Sequence, residues 1–218
     1  MKPCLTRIAS INALKKMSIF HKELVSLYSN FNIDLLSNLG RRNIMLSNVQ
    51  ERFFADELAK TFSGVISDGR TGEPDIVIGE LSKELECKLT SRQKSGAINF
   101  QTDYETLVKK SDLDYLYVIA DEDFNKFAAL YFEGLTVRDF RSLSTGARGR
   151  VAMIKHRAMK KCTILVGNAS TRNEKNIEKN NLRLQDSNLS QSNRQKYQKS
   201  NEYWKTTPLQ YSYGLEVV

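Results

Sequence analysis

The run from Pro74 to Thr90 constrains this chain more than any other stretch: Pro-Asp-Ile-Val-Ile-Gly-Glu-Leu-Ser-Lys-Glu-Leu-Glu-Cys-Lys-Leu-Thr. It reads as two short strands joined by a turn beginning at Gly79. In the second strand Leu85, Cys87 and Leu89 alternate with Glu86, Lys88 and Thr90. Successive strand side chains point to opposite faces, so one face is apolar and the other carries the charges. An acid and a base therefore share a face, beside Asp75 from the neighbouring strand. Two carboxylates and a lysine are the minimum set for holding Mg²⁺ at a phosphodiester and offsetting the charge that develops there.

The flanking sequence supplies elements around this hairpin. From about Lys16 to Leu39, Phe20, Leu24, Leu27, Tyr28 and Phe31 recur at helical spacing, followed by Leu35 and Leu36, which predicts one or two helices. Gly40-Arg-Arg-Asn-Ile-Met-Leu46 breaks the pattern. A further helix is expected from Ser47 or Asn48 to about Phe62, capped by a box with Gln50 or Glu51 and ended by Gly64. Glu51 stands three and seven positions before Phe54 and Leu58 and so shares their face, whereas Glu57 lies off that stripe. After the hairpin come a polar loop to Ala97, a helix from about Ile98 to Lys110, and strands at Asp114–Ala120, Phe127–Phe132 and Thr163–Gly167.

With these residues in place, the chain resembles the PD-(D/E)XK nuclease superfamily over roughly Ser47 to Ala120, and most of all its type II restriction endonucleases. The resemblance implies an α/β fold: a restriction-endonuclease-like core with a central mixed β-sheet flanked by helices, a helical N-terminal region and a polar C-terminal region. It also implies a strand–helix–strand unit after the motif. By the same resemblance Asp75 bridges Mg²⁺, Glu86 completes the coordination, and the peptide oxygen of Cys87 is a further ligand position. Lys88 positions or deprotonates the attacking water. Glu51, with Glu57 in reserve, is the helix acid that binds or orients the metal. Gln101 matches a helix glutamine that faces the substrate phosphate in some members. The implied activity is Mg²⁺-dependent, sequence-specific cleavage of double-stranded DNA by a homodimer. A structure-specific or repair nuclease of the same fold, or a non-catalytic DNA-binding protein, are the alternatives.

Composition bears on the partner. The net charge is +8 and the pI about 9.3, which favours a polyanion. Between Arg138 and Lys161, Arg138, Arg141, Arg148, Arg150, Lys155, Arg157, Lys160 and Lys161 face Asp139 alone. Arg148, Arg150 and Lys155 are the expected DNA contacts there, the two arginines on a loop, Ser142 to Arg150, whose glycines allow close approach to a backbone. Arg41, Arg42, Asn43 and Met45 are a second set, because arginine and asparagine read base edges and an unbranched apolar side chain can wedge between base steps.

The remaining features are exclusions. Cys4, Cys87 and Cys162 show no disulfide or zinc spacing, and His21 and His156 no ligand or nucleophile spacing. No phosphate-loop or nucleophile-elbow motif occurs, so no nucleotide cofactor is expected. With no apolar run near membrane length, the sequence predicts one cytoplasmic domain: a helical region 1–46, a core 47–167 and a polar arm 168–218. The arm, rich in Asn, Ser, Gln and Lys up to Asn201, reads as disordered or marginally helical unless DNA or a dimer orders it.

Overall fold

The computed structural model describes residues 3–67, 74–91, 98–110, 113–144 and 149–218. Thr6 starts the first helix, α1 (Arg7–Ser29), by accepting from the Ala9 N–H, and Ala13, Leu14, Met17 and His21 form its buried stripe. The second helix, α2 (Leu39–Leu58), begins eight residues before the earliest predicted start. Asn38 caps it by accepting from the Arg41 N–H at 3.0 Å. Asparagine is among the strongest N-caps, and Gly40, in the first turn, does not interrupt what the cap initiates. The expected break at Gly40–Leu46 is thus helix, and Leu46, Phe54, Ala55 and Leu58 pack with Leu14 and Met17.

Gly64 does not end this helix, which caps at Ala59. Instead Gly64 takes φ of 65° and leads into β1 (Val65–Ile66), accepting at 2.9 Å from the Gly79 N–H. A Cβ on Gly79 would lie 3.2 Å from the Gly64 oxygen, so the two glycines let their backbones meet where β1 joins β2 (Ile76–Ile78).

After a 3₁₀ turn at Gly79–Leu81 comes β3 (Lys83–Ser91). The predicted helix from Ile98 is a strand, β4 (Gln101–Asp103), followed by the short α3 (Tyr104–Lys110). The reason is local. Ile98, Phe100 and Thr102 are buried and alternate with exposed Asn99, Gln101 and Asp103, a period of two, and Asp103 then caps α3 through the Glu105 and Thr106 N–H groups.

Next come β5 (Leu113–Ala120), buried at every position, β6 (Lys126–Leu135), β7 (Arg150–Ala152), α4 (Lys155–Ala158) and β8 (Cys162–Val166). After these come β9 (Asn168–Thr171), α5 (Arg172–Leu184), α6 (Gln191–Thr206), β10 (Tyr211–Gly214) and β11 (Glu216–Val217). Seven strands form one sheet in the order β1-β2-β3-β5-β6-β11, with β8 also on β6. The sheet is mixed: β3 and β5 run parallel and its other pairs antiparallel. One face, with Leu85, Cys87, Leu116 and Val118, packs in the cluster holding Leu14 and Phe54. The other carries aromatics packed edge to face, with Tyr117 4.8 Å from Phe100 and 5.7 Å from Phe132 between ring centroids. β4 and β7 pair as a separate ribbon.

The chain divides into two compact units, residues 1–167 with 215–218, and residues 168–214. The second is helical over α5 and α6, one of the two states the sequence leaves open for it. Thr171 and Glu174 form a capping box at the start of α5, β9 pairs with β10, and buried asparagines join the helices. Among the described residues no helix is long and apolar enough to cross a membrane.

Candidate active site

The strand register explains why a site forms here. β2 pairs with β3 only at Lys83, Glu84 and Leu85. From Glu86 onward that edge of β3 has no strand partner among the described residues, and Asp75, just before β2, reaches across to it. Its carboxylate accepts from the Cys87 N–H at 2.6 Å. This fixes one acid at the open edge, where groups from both faces of the sheet can meet.

Glu86, 6% exposed, and Lys88 form an ion pair on the face opposite Cys87. Burial alone lowers an ammonium's proton affinity, but Glu86 and Asp75 outweigh it and hold Lys88 above the usual lysine range. Lys88 is therefore a firm cation. Glu51, on α2, is pushed up to about 7 by burial and by the Asp75 charge, with Lys88 opposing. Asp75 is also raised, by burial and by Glu86, against Lys88 and its bond from the Cys87 N–H. Three carboxyl groups thus compete for one lysine. The Cys87 thiol is buried and raised well above its ordinary value, which makes it core and an inert thiol.

A cleft of about 630 Å³ opens beside these groups. Its walls are Gly40, Asn43, Ser47 and Glu51 of α2, Cys87 to Thr90 of β3, Asn99, Gln101 to Asp103 of β4, Tyr117 of β5 and Arg150 of β7. Glu51, Cys87 and Lys88 reach it directly. Asp75 and Glu86 are tied to it through the Cys87 N–H and the Lys88 ammonium.

Of the helix acids, Glu57 is excluded by its own partners. It is 3% exposed, binds Lys16 and Lys60, and accepts from Asn12. These bonds pull its carboxyl below the ordinary value although burial opposes them. It ties α1 to α2 and does not line the cleft.

The expected DNA contacts divide in the same way. Asn43, Gln101 and Arg150 line the cleft, although Gln101 stands on a strand and not on a helix. Arg41 is exposed on α2 outside it. Arg42 is a correction: it is fully buried, donates to the Glu122 carbonyl and lies over the Phe124 ring at 5.0 Å. Met45 is half-buried against α1, where its sulfur accepts from the Tyr28 hydroxyl at 3.4 Å. Lys155 donates to the Ile98 carbonyl and lies over Phe100, so it braces the β4 strand. Lys161 pairs with Asp139, and Arg157 donates to the Arg138 carbonyl. Much of the basic stretch is therefore structural. Arg148 lies outside the described residues.

Several cleft residues escaped the sequence reading. Asn99, Thr102 and Asp103 needed the period-two pattern to be recognised, and Tyr117 needed the register that sets it opposite Lys88. Gln50, fully buried, donates its amide to the Lys88 carbonyl at 3.4 Å, a contact no spacing announces. Among the described residues no three His, Cys, Asp or Glu side chains are already gathered at metal-ligand geometry. Comparison with protein-family models, curated proteins and solved structures finds no match to this chain.

Proposed function

We propose that this chain is a Mg²⁺-dependent endonuclease of the PD-(D/E)XK type, cutting double-stranded DNA as a type II restriction enzyme does. The observation that carries the reading is the meeting of Glu51, Asp75, Glu86 and Lys88, from α2, the start of β2 and β3, at the unpaired edge of β3. The parallel β3–α3–β5 unit following the motif supports it, since the resemblance implies a crossover helix between central strands. In this reading the enzyme is a cytoplasmic homodimer acting on a short palindrome.

The residues present suit a hard divalent cation. Glu51, Asp75 and Glu86 offer oxygen donors, and burial first, then the neighbouring carboxylates, raise Glu51 and Asp75, an effect that a cation beside them would oppose. Mg²⁺, when bound, supplies Lewis acidity at the phosphate and an activated water. The chain supplies the rest. The Cys87 N–H orients Asp75, and Glu86 holds Lys88 in place. Lys88, kept protonated, donates to the water or to a phosphate oxygen and offsets the charge of the transition state. Asn43, Gln101 and Arg150 on the cleft walls bind the substrate around it.

Incubating the purified protein with plasmid DNA, with and without Mg²⁺, tests the activity. The wild type is expected to nick or linearise plasmid only with the metal. Asp75→Ala or Lys88→Ala should lower the rate by a factor of about 100 or more while leaving the circular dichroism spectrum unchanged. Metal-indifferent binding without cleavage by the wild type, or wild-type digestion by either variant, refutes the proposal.

A further inference from the structure

Helix α5 of the second unit carries Arg172, Lys175, Lys179 and Arg183, all exposed. At 3.6 residues per turn these four positions fall within a sector of about 80° and extend about 16 Å along the axis. The helix acids Glu174 and Glu178 project about 100° or more from the midline of that stripe. Glu174 is further occupied in the capping box with Thr171. Among the described residues none of the four cations forms an ion pair. The buried face, with Asn173 and Asn180, lies to one side.

The stripe is also braced. Arg172 lies 5.6 Å from the centroid of Trp204 and Arg183 5.2 Å from that of Tyr197, both rings on α6. Rings beneath the first and last cations limit the rotamers of those side chains and leave their outward donors available. Within the unit, the one acid of α6, Glu202, is paired with Lys205. From Asn168 to Gly214 eight Lys and Arg face four Asp and Glu, so this small unit contributes half of the chain's +8.

We propose that this face of α5 is a binding surface for the phosphate backbone of a nucleic acid. Cations one turn apart on a rigid helix meet an evenly charged strand in many registers, which suits sequence-independent attachment. The surroundings favour a nucleic acid over an anionic membrane. An interfacial helix needs a broad apolar face to sink into the lipid, whereas α5 sets mainly asparagines beside the stripe and exposes Leu182 as its one large apolar side chain. The surface uses no residue of the cleft, so it does not depend on the catalytic reading.

The test is binding of a labelled DNA duplex of arbitrary sequence, followed by fluorescence anisotropy across a salt series. It uses the full-length chain without Mg²⁺, so that cleavage plays no part. Among the described residues Lys175 and Lys179 have no side-chain partner, and Lys175→Gln with Lys179→Gln should leave thermal melting unchanged. The slope of log affinity against log salt should fall by about two units, roughly one per lost phosphate contact. Lys175→Arg with Lys179→Arg should keep the wild-type slope. The same charge removed from α1 by Lys15→Gln with Lys22→Gln should change it far less. An unchanged slope in the α5 variant, or equal loss in the α1 variant, overturns the proposal. So does loss of binding to phosphatidylserine vesicles with duplex binding intact, which assigns the face to membranes. A wild type that binds through α5 but never cleaves plasmid leaves this surface standing and removes only the nuclease.

Discussion

Helices α1 and α2 bury Leu14, Met17, Leu46 and Phe54 in the core of the first unit, whereas α5 and α6 meet through Asn180, Asn181, Ser200 and Asn201. Asn180 donates to the Ser200 hydroxyl and to the Asn201 carbonyl oxygen, each at 3.0 Å, and Asn201 donates on to Asn181 at 2.8 Å. Asn173 donates to the carbonyls of Trp204 and Thr207. Apolar contact is non-directional and scales with the area removed from water. An amide hydrogen bond nets only about 1 kcal/mol, yet its geometry admits one alignment. The first pair thus gains stability from burial. The second gains a defined register at modest stability, enough to order a segment with few apolar residues.

Removing bulk from the first pair should have the largest effect. Leu14→Ala leaves a cavity in a fully buried position and should cost about 2–5 kcal/mol in chemical denaturation. A loss well under about 1 kcal/mol would show that the α1–α2 contact is not a packed core.

The asparagine pair is broken by Asn180→Ala, which leaves buried Asn201 short of a donor. About 1–3 kcal/mol should be lost, read as faster amide exchange over α5 and α6. Replacing Asn180 and Asn201 together by leucine removes both partners and should restore protection or exceed it. If the single and double variants behave alike, the amides do not set the register.

The smallest effect separates the carboxyls of α2 by pH. Glu51 has a folded-state value near 7, above its unfolded one, so its contribution to stability is complete below about pH 4.5 and is lost as pH rises through 7. Glu57 is shifted the other way, and its contribution is lost as pH falls. Glu51→Gln should therefore raise the melting temperature at pH 8 relative to wild type, in EDTA, and raise it less at pH 5. Glu57→Gln should lower it at pH 8. Buried His21, pushed down to about 4, destabilises the fold as pH falls from about 6.5, but equally in wild type and variants. Added Mg²⁺ should stabilise the wild type at pH 8 more than Glu51→Gln. If the two signs were interchanged, Glu57 would take the role assigned here to Glu51.

What the sequence determined by itself was local. Alternation placed the β2–β3 hairpin and put Glu86 and Lys88 on one face, and apolar runs located β5, β6 and β8. Helical phase chose Glu51 over Glu57, and the structure sets Glu51 on the cleft and Glu57 among lysines. The helix boundaries failed at Asn38 and Gly64, where a cap and a backbone contact outrank the apolar pattern. Tertiary structure decided the rest, because it depended on partners distant in the chain. The fate of each arginine is the clearest instance: Arg42 is buried by Phe124 and the Glu122 carbonyl, while Arg150 reaches the cleft through the pairing of β7 with β4. Among the described residues the edge of β3 beyond Leu85 is likewise open because β2 pairs with it over three residues. Spacing reports which face a side chain takes on its own element, and only packing reports what that face meets.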